Sequence, residues 1–174
     1  QMWAAQHLRF EKPGRWLTSG GAGTMGYGLP AAIGAQIAHP RRCVVCISGD
    51  ASILMNIQEL ATAVQYQAGV VIIVFNNQMF GTIRMHQERD YPGRVSGTTL
   101  HNPDFAALAQ AYGAHGEVVD KTEEFAPALQ RALAHAAQTK LPALIELRYD
   151  GNLITPNATL ATIRANAEKA QAAQ

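Results

Sequence analysis

The chain has 174 residues, enough for one domain of ordinary size with a sizeable core. Fourteen basic residues against thirteen acidic leave a net charge of +1, which gives no electrostatic case for nucleic acid or an anionic membrane as partner. Apolar runs such as 70–75 are strand-sized and too short to cross a bilayer, and no charged-then-apolar leader opens the chain, so a cytoplasmic location is expected. The first residue is Gln1 rather than Met, which an internal cut in a longer protein, processing or numbering would each give.

In chain order, residues 16–19 read as a short first strand entering a glycine run at 20–28. A helix is expected after Pro30, carried by Ala31, Ile33 and Ile37 and stopped at His39-Pro40. Residues 43–48 read as a strand, and 56–67 place Ile57, Leu60, Ala61 and Val64 at helical spacing. The β-branched run 70–75 predicts a strand covered on both faces. The polar stretch 78–100, punctuated by Gly81, Pro92, Gly93 and Gly97, reads as a long functional loop with one short helix at 82–87. Asn102-Pro103-Asp104 opens a helix through Phe105, Leu108 and Tyr112. A strand at 116–119, a helix at 123–138 and a last strand at 143–148 follow. The tail, 158–174, is alanine-rich and helix-prone. With no internal repeat and no linker, strands alternating with helices predict an α/β fold in one domain, 1–174: a parallel sheet with helices on both faces.

Cys43 and Cys46 form a C-x-x-C, but inside a strand positions three apart point to opposite faces, and no second C-x-x-C completes a zinc site. Two inert buried thiols are expected. His7, His39, His101, His115 and His135 show no ligand spacing and read as surface or core residues.

Two chemistries compete for the glycine run. Gly21-Ala22-Gly23-Thr24-Met25-Gly26 matches G-x-G-x-x-G between a predicted strand and helix, and Asp50 ends the next strand, where a dinucleotide fold places its ribose acid. A nicotinamide-dinucleotide oxidoreductase domain is therefore one reading. Against it, Pro30 suggests a helix that starts late, away from the glycines. The other reading takes Gly49-Asp50-Ala51-Ser52 and Asn76-Asn77 together, as an acid and an amide at two strand ends. Mg²⁺ takes about six oxygens, commonly one or two protein groups plus phosphate oxygens. Asp50 supplies charge, Asn77 a neutral oxygen, the following turn a carbonyl, and the helix opening at Ala51 and Ser52 suits a phosphate. Taken singly, Asp50 or Ser52 could be a helix cap, Asn76-Asn77 a turn and Met25 a core methionine. A noncatalytic binding module with the same fold also stays open.

The residues resemble a known family. Gly49-Asp50 followed by Asn76-Asn77 is similar to the thiamine-diphosphate signature G-D-G…N-N. Gln1-Met2-Trp3-Ala4-Ala5-Gln6, the run from Gly20 through Gly28-Leu29-Pro30-Ala31-Ala32, and Met55-Asn56-Ile57-Gln58-Glu59-Leu60 resemble acetolactate synthase, over nearly the whole chain. The resemblance implies the C-terminal domain of a catalytic subunit that binds thiamine diphosphate and Mg²⁺. It implies metal binding by Asp50, Asn77 and the Met79 carbonyl, and diphosphate contacts from Ala51 and Ser52, with Gly49 and Thr24 also among the cofactor-binding residues. Gly23 and Met25 would meet the aminopyrimidine through backbone groups, and the Met25 side chain would hold the cofactor bent for catalysis. The implied reaction decarboxylates a 2-oxo acid such as pyruvate and passes the fragment to a second carbonyl, the cofactor carrying the hard chemistry.

Three departures bear on this. Ala51 replaces the second glycine of G-D-G, which a helix-start conformation accommodates. His86 stands where biosynthetic members carry a tryptophan that helps choose the second substrate, so His86, Gln87, Glu88 and Arg89 are candidate substrate contacts. The activating glutamate and the Gly-Gln-His expected before Gln1 lie outside this chain. The piece alone is therefore expected to be inactive, needing an N-terminal pyrimidine-binding domain or a separate chain, in a parent that is at least a dimer.

Overall fold

The computed structural model describes residues 1–173. In chain order the elements are α1 Met2–His7, α2 Gly28–Ala38, β1 Val45–Gly49, α3 Asp50–Leu54, a 3₁₀ turn Ile57–Glu59, α4 Leu60–Gln65, β2 Val71–Asn76 and α5 Gly81–Asp90. There follow α6 Phe105–Ala111, β3 His115–Val119, α7 Thr122–Thr139, β4 Ala143–Arg148, β5 Leu153–Thr155, β6 Ala158–Thr159 and α8 Leu160–Ala172. They form two compact units: Gln1–Asn76 with Pro103–Arg148, and Asn77–Asn102 with the chain from Tyr149 onward.

The first unit is the expected α/β architecture. Its four strands pair in parallel in the order β1-β2-β4-β3. Side chains alternate across each strand, so Ile72, Val74 and Leu144 pack on one face with Leu29 and Ile33 of α2, Leu60 of α4 and Phe105 of α6. Val71, Ala143 and Ile145 face the other way, onto Ala128, Ala132 and Ala136 of α7. Burying both faces is why β2 reads as an unbroken apolar run. Each enclosed Leu or Ile contributes about 2 kcal/mol relative to exposure. Small residues let the helices close in: a Cβ on Gly116 would lie 2.1 Å from the Ala106 carbonyl oxygen, so only glycine lets α6 lie this close to β3.

Because all four strands run the same way, their carboxyl ends share one edge. Gly49 pairs with Phe75, Asn76 with Arg148 and Val119 with Leu147. Asp50, Asn76 and Arg148 therefore stand at that edge. Ligands of parallel α/β sheets bind there.

The second unit is smaller. The antiparallel pair β5–β6 leads into α8, and α8 packs on α5. Met79 bridges Thr99, with Phe80 donating to the Thr98 carbonyl (3.0 Å) and Leu100 to that of Gln78 (2.8 Å).

Several expectations need correction. Residues 16–19 form no strand. The second helix begins at Gly28, with Pro30 in its first turn, where its missing N–H has no partner to lose. The helix expected at 56–67 divides into the 3₁₀ turn and α4, while the acid-led segment ahead of it forms α3. The helix expected at 82–87 spans ten residues, Gly81–Asp90. The tail opens with β6, the second strand of a short hairpin, before α8, and position 174 lies outside the described residues. Cys43 precedes β1 and is exposed rather than buried, whereas Cys46 is enclosed and burial pushes its thiol up to about 12, which keeps it protonated and inert.

Candidate functional site

Asp50 opens α3 immediately after β1 and is 3 % exposed. Its Oδ1 accepts the N–H of Ala51 at 2.9 Å, which fixes the carboxylate at the helix start. So enclosed, the carboxylate is no solvated cap. Ser52, expected as a phosphate contact, also serves the glycine loop, since its Oγ accepts the Gly26 N–H at 3.0 Å. Asn56 completes that clamp by donating Nδ2–H to the Gly26 carbonyl at 2.8 Å. Gly26 is held from both sides, with φ +84 and no room for a side chain: a Cβ would sit 2.7 Å from Asn56 Nδ2 and 3.1 Å from Met55 Cβ.

The rest of the loop closes on Ser19. Gly23 donates its N–H to the Ser19 carbonyl (2.7 Å) and Thr24 to the Ser19 hydroxyl (3.1 Å). Those two N–H groups are thus taken within the loop. Met25 is 38 % exposed and belongs to no core cluster, so the core-methionine reading fails. Gly21, Gly23 and Gly49 each have open space where a Cβ would stand, a cradle that side chains would fill.

Asn76 is held by an acid that sequence reading passed over. Glu146, buried in β4, accepts Asn76 Nδ2–H (2.8 Å), the Phe105 N–H at the start of α6 (3.0 Å) and Arg148 Nε–H (2.8 Å). One carboxylate thus ties together β2, β4 and α6 at the edge. A lone acid in an apolar strand was the available signal. Asn56, inside the motif quoted for the resemblance, was the other omission.

In the second unit, Asn77 Oδ1 accepts the Met79 N–H at 3.3 Å. Gln78 between them takes φ 57, a left-handed turn that reverses the chain. The surroundings are close, since a Cβ on Gly81 would meet Asn77 Nδ2 at 3.0 Å and one on Gly151 would meet the Asn77 carbonyl at 3.0 Å.

The candidate substrate contacts separate. His86 and Arg89 are exposed, and Arg89 pairs with Asp90 at 2.8 Å. Gln87 donates to the Ser96 carbonyl (2.7 Å) and accepts from Thr98 Oγ1 (3.1 Å), pinning the turn after α5. Glu88 is fully enclosed and paired with Arg84 and Arg164, so it holds structure rather than meeting substrate. Of the histidines without ligand spacing, His115 and His135 do meet, their ring centroids 5.3 Å apart.

The dinucleotide reading loses its frame, since that fingerprint needs a strand ahead of the glycines and 16–19 forms none. An acid enclosed at the carboxyl edge of a parallel sheet, behind a glycine loop bonded to the helix that the acid opens, defines an α/β cofactor-binding domain. The chain belongs to the family described as thiamine pyrophosphate enzyme, C-terminal TPP binding domain, which matches residues 1–147. It is similar to the acetolactate synthase large subunit of Haemophilus influenzae, 50% identical over 135 residues, covering 77% of this chain and 24% of that protein. The isozyme 2 large subunit of Escherichia coli K12 is 48% identical over 161 residues, covering 91% and 29%. Among solved structures, the thiamine diphosphate-dependent 4-hydroxybenzoylformate decarboxylase of Rhodococcus jostii RHA1 matches with TM-score 0.66 at 40% identity, covering 72% of this chain and 23% of that one. The chain spans about a quarter of the length of these relatives. Membership implies thiamine diphosphate, with Mg²⁺, as the cofactor. Among the described residues no helix is long and apolar enough to cross a membrane.

Proposed function

We propose that residues 1–174 are the C-terminal thiamine-diphosphate- and Mg²⁺-binding domain of a longer, acetolactate-synthase-like enzyme, one that decarboxylates a 2-oxo acid such as pyruvate and joins the fragment to a second carbonyl. The observation that carries this reading is Asp50, enclosed at the carboxyl edge and covalently continuous with the helix whose Ser52 holds the glycine loop. Asp50, Asn77 and the Met79 carbonyl would hold Mg²⁺, a mixed oxygen set of the kind that cation takes with phosphate. Gly49, Ala51 and Ser52 would hold the diphosphate. The Gly23 carbonyl and Met25 N–H would orient the aminopyrimidine, Thr24 would keep the loop closed, and the exposed Met25 side chain would set the cofactor's bend. When bound, thiamine diphosphate supplies the carbon nucleophile and electron sink for the decarboxylation.

The activating glutamate would come from an N-terminal pyrimidine-binding domain or another chain, and a homo-oligomer, at least a dimer, would bring the parts together. On this reading residues 1–174 alone do not turn over. A second reading, decarboxylation without an acceptor, draws support from the solved relative, itself named a decarboxylase. Product analysis of the full-length protein with pyruvate separates them: a joined hydroxy-keto acid favours the first, free acetaldehyde the second, and no CO₂ release refutes both.

A further inference from the structure

Glu146 is a charged side chain set in the apolar run of β4, 1 % exposed. Its two oxygens accept four N–H groups. Oε1 takes those of Asn76 Nδ2 and Arg148 Nε, both at 2.8 Å. Oε2 takes the Phe105 N–H at 3.0 Å and a terminal Arg148 nitrogen at 3.4 Å. An ionised carboxylate offers about four acceptor positions, so its capacity is filled. Burying a charge is a poor route to stability, since well-packed apolar residues of similar volume commonly serve a fold as well or better. What the acid adds is direction.

That direction is legible at Asn76. Val74 pairs with Glu146, and Asn76 with Arg148. Val74 and Leu144 pack with Phe105 of α6, so Asn76 and Glu146, each two residues further along its strand, emerge on that same face. The acid there only accepts, so the amide presents its nitrogen to Glu146 and turns Oδ1 away. Asn76 is 5 % exposed, so protein rather than solvent sets its orientation. Its place on the edge is specific. Gly49 pairs with Phe75, and Asp50 and Asn76 are the next residues along the two chains. Asn77 follows across one peptide bond, which holds its Cα about 3.8 Å from that of Asn76.

We propose that Glu146 is a positioning residue for the metal: by orienting the Asn76 amide it fixes the strand end from which Asn77 departs, and so sets the affinity for Mg²⁺. This rests on the Mg²⁺ reading above and adds to it a residue that acts through Asn76.

The test is calorimetric titration of Mg²⁺ into the full-length protein with thiamine diphosphate present, well below the melting temperature. Glu146→Met, Asn76→Ala and their double variant are compared with Ile145→Val. Ile145 is the buried neighbour of Glu146 on the opposite face of β4, and losing one methyl there destabilises the sheet without touching the edge network. The Kd for Mg²⁺ rises roughly tenfold in Glu146→Met, the low end of what loss of a ligand-orienting group costs. Asn76→Ala weakens it by a similar factor, and it carries the test alone if Glu146→Met does not fold. The double variant is no weaker than the worse single one, because both remove one interaction. Ile145→Val stays within about twofold of the parent. Mg²⁺ affinity in the edge variants within about twofold of the parent overturns the proposal. So does an equal weakening in Ile145→Val, which makes the effect one of stability alone, and so do single effects that multiply in the double variant. A parent that binds no thiamine diphosphate with Mg²⁺ refutes the functional reading itself, and the proposal falls with it.

Discussion

Gly26→Ala tests the joint between the glycine loop and the acid-bearing helix. Alanine at φ +84 carries the left-handed penalty of about 1–2 kcal/mol. Its Cβ, 2.7 Å from Asn56 Nδ2, forces that amide aside and breaks the 2.8 Å bond to the Gly26 carbonyl, costing about 1 kcal/mol more. Together the loss is ~2–3 kcal/mol, or roughly 5–10 °C in melting temperature for a domain this size. Urea denaturation and calorimetric titration with thiamine diphosphate and Mg²⁺ read stability and cofactor affinity on one sample. In an Asn56→Ala background the closest contact is gone and only Met55 Cβ, at 3.1 Å, stays tight, so Gly26→Ala costs little beyond the backbone part of about 1–2 kcal/mol. A Gly26→Ala protein within about 0.5 kcal/mol of the parent, binding cofactor equally well, would refute the reasoning.

Other outcomes follow from the same geometry. Gly116→Ala drives a methyl to 2.1 Å from the Ala106 carbonyl oxygen, backbone that cannot yield, and costs roughly 3 kcal/mol or more by urea titration. Glu146→Gln turns an N–H₂ toward groups that already donate, Asn76 Nδ2, the Phe105 N–H and Arg148, and costs about 1–3 kcal/mol in the same assay. Glu88 predicts an acid limb. Its folded value lies below the usual 4.5, so its stabilisation is complete above about 4.5 and is lost as pH falls toward about 2. That stabilisation is at most about 3 kcal/mol, screened because Arg164 is half in water. The stability gap between parent and Glu88→Gln, followed by urea midpoints from pH 6 to pH 2.5, therefore narrows with acid. A gap that does not change with pH would contradict the pairing.

The sheet was legible because the strands are short β-branched runs with both faces covered, and 143–148 matched Ala143–Arg148 to the residue. The 16–19 strand was misread because Trp16 and Leu17 are apolar without a neighbour to pair them, and pairing is not written in local pattern. Asp50 stood out as an acid closing an apolar strand, and Asp104 as the cap of α6, where it accepts the Ala107 N–H at 2.8 Å. Ser52 and Asn56 looked like a cap and a helix residue; their hold on Gly26 spans 26 and 30 positions, beyond any periodicity. The Glu88–Arg164 pair spans 76 positions and left no local signal at all.

The central claim is that Asp50 binds thiamine diphosphate through Mg²⁺. Calorimetric titration of the full-length protein with thiamine diphosphate, with Mg²⁺ and with the metal chelated, beside Asp50→Ala, tests it most directly. The account predicts tight binding only with Mg²⁺, and its loss in a folded Asp50→Ala protein. Equal binding without metal, or an Asp50→Ala protein that binds as the parent does, would contradict it.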